Sequence, residues 1–174
     1  MYSNLIYTIL TATIYSLIEI EIEGPNGWCE KLPTCNFVKL GSKNMILYHI
    51  YMLIYLTITY ISMYTFTYNS ISIENVCNVV SNISLFLMVE DVLWFSLNPY
   101  YTIGKYTKED ITWHSNQPWI FSVPLDNYII LTLHILLSLY DIIHLYNFVY
   151  STLFIKFINY FVSGAYHDFY LRVH

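Results

Sequence analysis

The sequence predicts an all-α integral membrane protein, formed by one domain with four transmembrane helices and a C-terminal amphipathic or partly membrane-embedded helix. Three observations lead to this fold class. Of the 174 residues, 56% are hydrophobic and 11% are charged, against roughly 45–50% and 25% in soluble domains. The apolar residues form long runs that two polar loops interrupt. The chain also has 19 tyrosines and 4 tryptophans, residues that suit both interfaces of a bilayer.

The first predicted span covers about residues 2–20, and about 20 apolar residues are enough to cross a bilayer. No basic segment precedes it and no small-residue cleavage site follows it, so we expect a retained helix rather than a signal peptide. Gly24-Pro25 ends any helix that continues past the span. In such a continuation, Glu19 and Glu23 share one helical face because they lie four residues apart.

The second and third predicted spans cover about residues 45–66 and 73–97, with a short uncharged connection between them. His49 lies about one turn inside the second span. The third span ends at Asn98-Pro99, and it carries two adjacent carboxylates near this end. Both spans are long enough to cross the hydrocarbon core.

The fourth predicted span covers about residues 128–150 and contains His134. In the same helix, Asp141 and His144 are three residues apart, which predicts a separate polar pair near the outer surface. Apolar residues then recur with helical spacing, which indicates an interfacial helix at about 152–163. A fifth span in this region is an alternative.

The positive charges predict how the chain sits in the membrane. The two long loops, residues 24–43 and 98–127, hold five of the seven basic residues. Under the positive-inside rule both loops are cytoplasmic, in a multi-pass protein of the cell membrane. The bilayer is therefore the expected partner. The net charge of −5 and the lack of a basic stripe exclude nucleic acid, and no GxxxG face indicates an oligomer.

Glu90 and Asp91 are the most informative residues of the third span. A carboxylate within a membrane helix costs about 2.5–3.5 kcal/mol on insertion scales, so it usually faces the bundle interior and has a partner. Adjacent residues point about 100° apart, so we expect one of the two to face the centre. We favour Glu90, and we expect Asp91 to bind a loop group or a Tyr or Trp side chain.

Depth arithmetic predicts that polar residues from several spans meet in one chamber. With about 1.5 Å of rise per residue, each of the four spans places a carboxylate or an imidazole in the half of the bilayer next to the long loops. His114 lies in the loop above them. The candidate metal ligands are His49, Glu90, His134, Glu19 and Glu23. The candidate catalytic groups are Glu90, Asp91 and His114.

The residue types of this chamber are compatible with three functions. Carboxylates and imidazoles from several helices build the di-metal sites of helical bundles, which makes a divalent metal one candidate cofactor. The protein would then be a metal-dependent membrane enzyme acting on a lipid or another apolar substrate. The alternatives are a small proton or cation transporter or channel, and a non-catalytic scaffold whose polar residues fix helix packing. The chain lacks Glu-x-x-His, so the sequence does not decide whether the protein is an enzyme.

Several aromatic and turn motifs of the chain resemble those of a set of known membrane proteins. They are Gly24-Pro25-Asn26-Gly27-Trp28, Lys31-Leu32-Pro33-Thr34, the run Glu90–Tyr101, Trp113-His114, Trp119-Ile120 and Pro124. In these motifs, over about residues 19–124, the chain resembles a set of small bacterial and archaeal multi-span membrane proteins. The resemblance implies the membrane class and implies that the two long loops form a unit. It implies no catalytic role.

Overall fold

A computed structural model gives the fold of the chain, and most of the residues it describes are helical. The described segments are residues 2–27, 32–40, 43–68, 72–111, 117–121 and 123–174. Trp28, Lys31, Trp113 and His114 lie outside these segments. The structure therefore does not describe these four residues of the sequence motifs.

Three long helices form the first half of the fold: α1 (Tyr2–Glu23), α2 (Leu47–Tyr68) and α3 (Ile73–Leu97). Among the described residues, these are the helices that are long and apolar enough to cross a membrane. α3 is the most buried of the three and packs against both α1 and α2. The three spans predicted first from the sequence therefore correspond to real helices.

The predicted fourth span, residues 128–150, is two helices rather than one. α4 (Leu125–Ser138) and α5 (Ile143–Phe157) are separated by a turn. The turn forms at Asp141, whose Oδ1 accepts a hydrogen bond of 2.9 Å from the backbone N–H of Ile143. A short polar side chain that binds the nearby backbone competes with helix continuation. Asp141 is exposed whereas His144 is buried, so the predicted pair on one helical face does not form.

The C-terminal part of the chain also differs from the expected interfacial helix at 152–163. α5 continues through a π-helical turn, Ile158–Val162, into α6 (Ser163–Val173). Residues 143–173 therefore form one helical run that passes through the predicted segment without a break.

This long run returns to the end of the bundle where α1 and α3 finish. In α6, His167 Nε2 lies 3.0 Å from the carbonyl oxygen of Ser96 at the end of α3. At the chain's last residue, His174 Nε2 lies 3.2 Å from Oε2 of Glu21 on α1. α4 and α5 pack against each other, so together they form a helical hairpin whose turn points away from that end. The predicted bundle of four membrane helices with a C-terminal helix is therefore not confirmed, whereas its mostly helical character is.

Two small β-hairpins lie in the regions predicted to be polar loops, so the fold is not entirely α-helical. β1 (Thr34–Leu40) pairs antiparallel with β2 (Lys43–Ile46) in the first loop. β3 (Trp119–Ile120) pairs antiparallel with β4 (Val123–Pro124) in the second. Each hairpin ends directly at the start of a helix, α2 or α4. The hairpins thereby fix the direction in which these two helices leave the loops.

Far from these hairpins, a polar network joins α1, α2 and α3. The hydroxyl of Tyr64 accepts hydrogen bonds from Asn4 Nδ2 at 2.8 Å and from Asn82 Nδ2 at 2.7 Å. The hydroxyls of Thr8 and Tyr60 are 2.9 Å apart in the same region. Hydrogen bonds between helices hold membrane bundles together. This network therefore fixes how the three helices pack.

At the opposite end, aromatic rings hold the second loop against α3. The ring of Phe95 lies 4.8 Å from that of Trp94 and 4.9 Å from that of Tyr106, measured between ring centroids. Trp94 in turn lies 4.9 Å from Tyr101, and Tyr106 lies 5.8 Å from Trp119. Offset and edge-on ring contacts of this kind are favourable beyond the area they bury. The loop therefore forms a packed roof over the end of the bundle.

Candidate functional site

Three helix ends meet beneath this roof and bring their ionisable residues together. Glu19 and Glu23 lie one turn apart near the end of α1, and His49 lies in the first turn of α2. Glu90 lies on α3, two turns before the helix ends. All four are at the end of the bundle where the long loops are, as the depth arithmetic predicts.

The α1 and α2 residues form a compact cluster of metal-ligating groups. His49 Nε2 lies 2.9 Å from Oε1 of Glu19 and 3.8 Å from Oε1 of Glu23. One ligand atom from each of the three residues lies within 4.8 Å of the other two. The hydroxyl of Tyr48 lies 2.9 Å from the same oxygen of Glu19 and 2.6 Å from that of Glu23. One hydroxyl proton cannot satisfy two carboxylates fully, so a proton on His49 Nε2 or a bound cation completes the cluster.

Glu90 joins this cluster from α3. Only 8% of Glu90 is exposed, and its carboxyl group lies close to that of Glu19. The Oε1 atom of Glu90 is buried and has no hydrogen-bond partner among the described residues. An unsatisfied buried acceptor is costly, so this oxygen is suited to receive a ligand.

The cluster opens onto a cavity of about 370 Å³. Its lining is mostly apolar, with acidic groups at both ends. The lining residues that the site uses are Glu19, Glu23, His49, Met52, Leu53, Leu87, Met88, Glu90, Asp91, Asp126, Asn127 and Ile130. A volume in the range of about 300–1,000 Å³ with a few convergent polar groups is typical of a small-molecule site.

Asp91, the second predicted carboxylate of α3, occupies a different position. It is half-buried and accepts a hydrogen bond of 3.4 Å from the hydroxyl of Tyr106. Asn127 Nδ2 donates to the same hydroxyl at 3.0 Å. Asp91 therefore binds a tyrosine of the second loop, and Glu90 is the more buried carboxylate, as the sequence predicts.

Tyr106 makes the stability of the protein sensitive to alkaline pH. Burial and the nearby charge of Asp91 raise the pKa of the Tyr106 hydroxyl above its ordinary value of about 10. Its stabilising contribution is therefore complete below pH 10 and declines as the pH rises above 10 toward the raised pKa of the folded state. At pH 11 we expect the wild-type protein to lose about 1 kcal/mol more of its unfolding free energy, relative to pH 9, than Tyr106→Phe does. Equal losses, measured by chemical denaturation at both pH values, would contradict this.

His134 does not reach the cluster, although the sequence places it among the metal ligands. Its Nδ1–H donates to the carbonyl oxygen of Ile130 at 2.9 Å, and its Nε2 lies 3.3 Å from the hydroxyl of Ser81. Ser81 precedes Glu90 by nine residues, or about 13 Å along α3. Both ring nitrogens of His134 thus have local partners, and this histidine belongs to the packing of α4 against α3. His114 lies outside the described residues.

Tyr48 is a site residue that sequence reasoning missed. Its ring stacks on that of His49, with centroids 4.0 Å apart, while its hydroxyl binds both glutamates of α1. The available signal in the sequence was that Tyr48 directly precedes the candidate ligand His49. The abundance of tyrosine in this chain conceals that signal, because most tyrosines here fit the interface role equally well.

Comparison of the chain with protein-family models, curated proteins and solved structures gives no match. The resemblance to small bacterial and archaeal multi-span proteins therefore stays a prediction. What the site does has to be argued from its own chemistry.

Proposed function

We propose that the protein is a multi-pass membrane enzyme that depends on a divalent metal and acts on an apolar or lipid substrate. The observation that carries this proposal is the convergence of Glu19, Glu23 and His49, whose ligand atoms lie within 4.8 Å of one another beside an apolar cavity. Three protein ligands with an open position are the arrangement of catalytic metal sites. A mixed set of one imidazole and two carboxylates suits Zn²⁺ or Mn²⁺.

In this proposal Glu90 is the general base. Glu19, Glu23 and His49 would hold the metal, which would supply Lewis acidity and activate water as a nucleophile at neutral pH. Glu90 lines the same cavity, and its carboxylate would serve as the proton acceptor. Tyr48 is a positioning residue, because its hydroxyl holds both glutamates of α1. The mostly apolar lining of the cavity strengthens electrostatic interactions at the site.

The contacts of the C-terminal helix support a topology of five membrane-embedded segments, of which α4, with 14 residues, is shorter than the roughly 20 residues that a helix needs to cross alone. α1, α2 and α3 cross first, and α4 then enters from the loop side. His134 of α4 lies beside Ser81 of α3, so α4 extends deep into the bundle. The run of residues 143–173 then returns, because His174 reaches Glu21 at the end of α1. Arg172 is thereby on the same side as the basic residues of the two long loops, in agreement with the positive-inside rule.

The metal content of the purified protein tests the proposal. We expect about one Zn²⁺ or Mn²⁺ per chain after purification in a non-ionic detergent and exposure to a low concentration of either ion, measured by elemental mass spectrometry. Saturable hydrolysis of a long-chain acyl ester should follow the metal, disappearing with a chelator and returning when the metal is restored. The matched control is His134→Asn, which removes a histidine outside the cluster and should keep the metal. Protein without saturable metal binding would contradict the proposal.

Cation or proton transport is the second candidate, and one observation favours it. The network of Asn4, Thr8, Tyr60, Tyr64 and Asn82 places polar groups in the half of the bundle opposite the cluster. A layer of fully buried apolar residues on α3 separates the two polar regions. This layer consists of Leu85, Phe86 and Val89. A continuous path requires the layer to open, so flux of protons or cations through liposomes that contain metal-free protein would support transport instead.

A further inference from the structure

The cavity beside the candidate metal ligands combines an apolar middle with negatively charged ends. Met52, Leu53, Leu87, Met88 and Ile130 form the apolar part. Met52 and Leu53 belong to α2, Leu87 and Met88 belong to α3, and Ile130 belongs to α4. An alkyl chain fits such a lining because methionine and leucine side chains bury it without leaving a polar group unsatisfied.

The charged groups of the cavity are strongly unbalanced. Its five carboxylates are those of Glu19, Glu23, Glu90, Asp91 and Asp126. Against these stands one imidazole, that of His49, and no lysine or arginine is present among the described residues that line the cavity. A divalent cation at the α1–α2 cluster compensates only two negative charges. The cavity therefore remains negative even when such a metal is bound.

Two of the carboxylates lie apart from the metal ligands, at the α4 end. Asp91 accepts a hydrogen bond from the hydroxyl of Tyr106, and Asp126 interacts electrostatically with the same hydroxyl. Asp91 on α3 and Asp126, which is exposed in the first turn of α4, therefore both lie near the hydroxyl of Tyr106. Between this pair and the metal ligands lies Glu90, more than nine-tenths buried, with Oε1 unpartnered among the described residues. Glu90 is one of the residues that line the cavity, so its carboxyl group offers an acceptor to a ligand that enters it.

We propose that the cavity binds an amphiphile with a cationic amino head and an alkyl tail, so that the substrate of the enzyme is a lipophilic amine. An ammonium group has three N–H donors and no acceptor, which matches a site whose polar groups are carboxylate oxygens. A phosphate or carboxylate head meets like charge at Asp91 and Asp126. The inference rests on the proposed function for the reaction at the metal, whereas the head-group preference follows from the charge and shape of the cavity.

Binding of three single-chain probes tests the inference. Dodecylamine, dodecanol and dodecanoate have similar tails and differ in the charge of the head at pH 7. In protein purified in a non-ionic detergent with a chelator present, we expect dodecylamine to bind at least about tenfold more tightly than dodecanoate. Dodecanol should lie between them. The readout is the rise in the thermal unfolding midpoint as each probe is added, compared at equal concentrations.

Two variants separate the roles of head and tail. The double variant Asp91→Asn/Asp126→Asn should reduce the preference for the amine to less than about threefold. The exposed acid Glu109 provides the control, because Glu109→Gln should keep the full preference. Met52→Trp fills the apolar part, so it should weaken binding of all three probes while metal binding at the cluster remains.

The outcomes also distinguish this inference from the proposed function. Equal or tighter binding of dodecanoate, or a preference that the double variant leaves unchanged, overturns the inference. Metal binding without head-group selectivity overturns the amine substrate and leaves the metal centre standing. Selectivity for the amine in a protein that binds no metal supports the inference and overturns the proposed metal centre.

Discussion

A Glu19→Gln variant is expected to lose more than about a hundredfold in affinity for Zn²⁺ or Mn²⁺. Loss of an outer-sphere partner of a metal typically costs 10–100-fold in metal affinity. Glu19 belongs to the ligand cluster itself, 2.9 Å from His49 Nε2, so its loss should cost more. Glutamine keeps the size of the side chain but removes the charge that a metal needs. His49→Ala should have an effect of the same order, because it removes the one nitrogen ligand of the cluster.

The measurement is a titration of metal-free protein in competition with a fluorescent chelator. Glu21→Gln is the matched control, since Glu21 lies on the same helix between the two ligands but is exposed and pairs with His174. Control and wild-type protein should bind metal with the same affinity. If Glu19→Gln and Glu21→Gln weaken binding equally, the effect is one of general charge, and the three-residue metal centre is wrong.

A Phe95→Ala variant is expected to lose about 3–5 kcal/mol of unfolding free energy, the range for removal of a buried aromatic ring. Phe95 is 1% exposed and contacts the rings of Trp94, Tyr101 and Tyr106. The substitution leaves a cavity between α3 and the loop above it. Because this loop forms the roof over the site, the variant should also release the loop, which proteolysis at residues 98–111 would detect.

Denaturation by a titrated ionic detergent measures this change in stability. Phe121→Ala is the control, since Phe121 is 93% exposed and should change the free energy of unfolding by less than about 0.5 kcal/mol. Phe95→Leu, which fills part of the space, should fall between the two. A Phe95→Ala variant as stable as Phe121→Ala would contradict the packed roof.

The convergence of Glu19, Glu23, His49 and Glu90 was predictable because each lies near a helix end that the sequence marks clearly. Gly24-Pro25 ends α1 and Asn98 ends α3, so the depth of each ligand follows from the rise per residue. The rise per residue gives the depth of a side chain along the helix axis, but it does not give the side of the helix on which that side chain lies. The arrangement of these residues about one cavity therefore required the structure.

His134 shows where the same arithmetic fails. The sequence starts the helix at Tyr128, whereas α4 starts at Leu125, and these three residues place His134 about 4.5 Å deeper. The start was missed because β3 and β4, of two residues each, are too short to show an alternating pattern. The break at Asp141 was missed because one side-chain hydrogen bond produces it, within a run whose apolar residues continue on both sides.

The π-helical turn at Ile158–Val162 determines how α6, which follows it, is rotated about the helix axis. Such a turn amounts to one extra residue in a regular helix, and each residue of an α-helix advances the chain by about 100°. Without that residue, the side of α6 that carries His167 and Tyr170 would rotate by this angle away from α3. Because of the extra residue, His144 near the start of the run and His167 near its end both face the rest of the bundle. In a regular α-helix of the same length they would not.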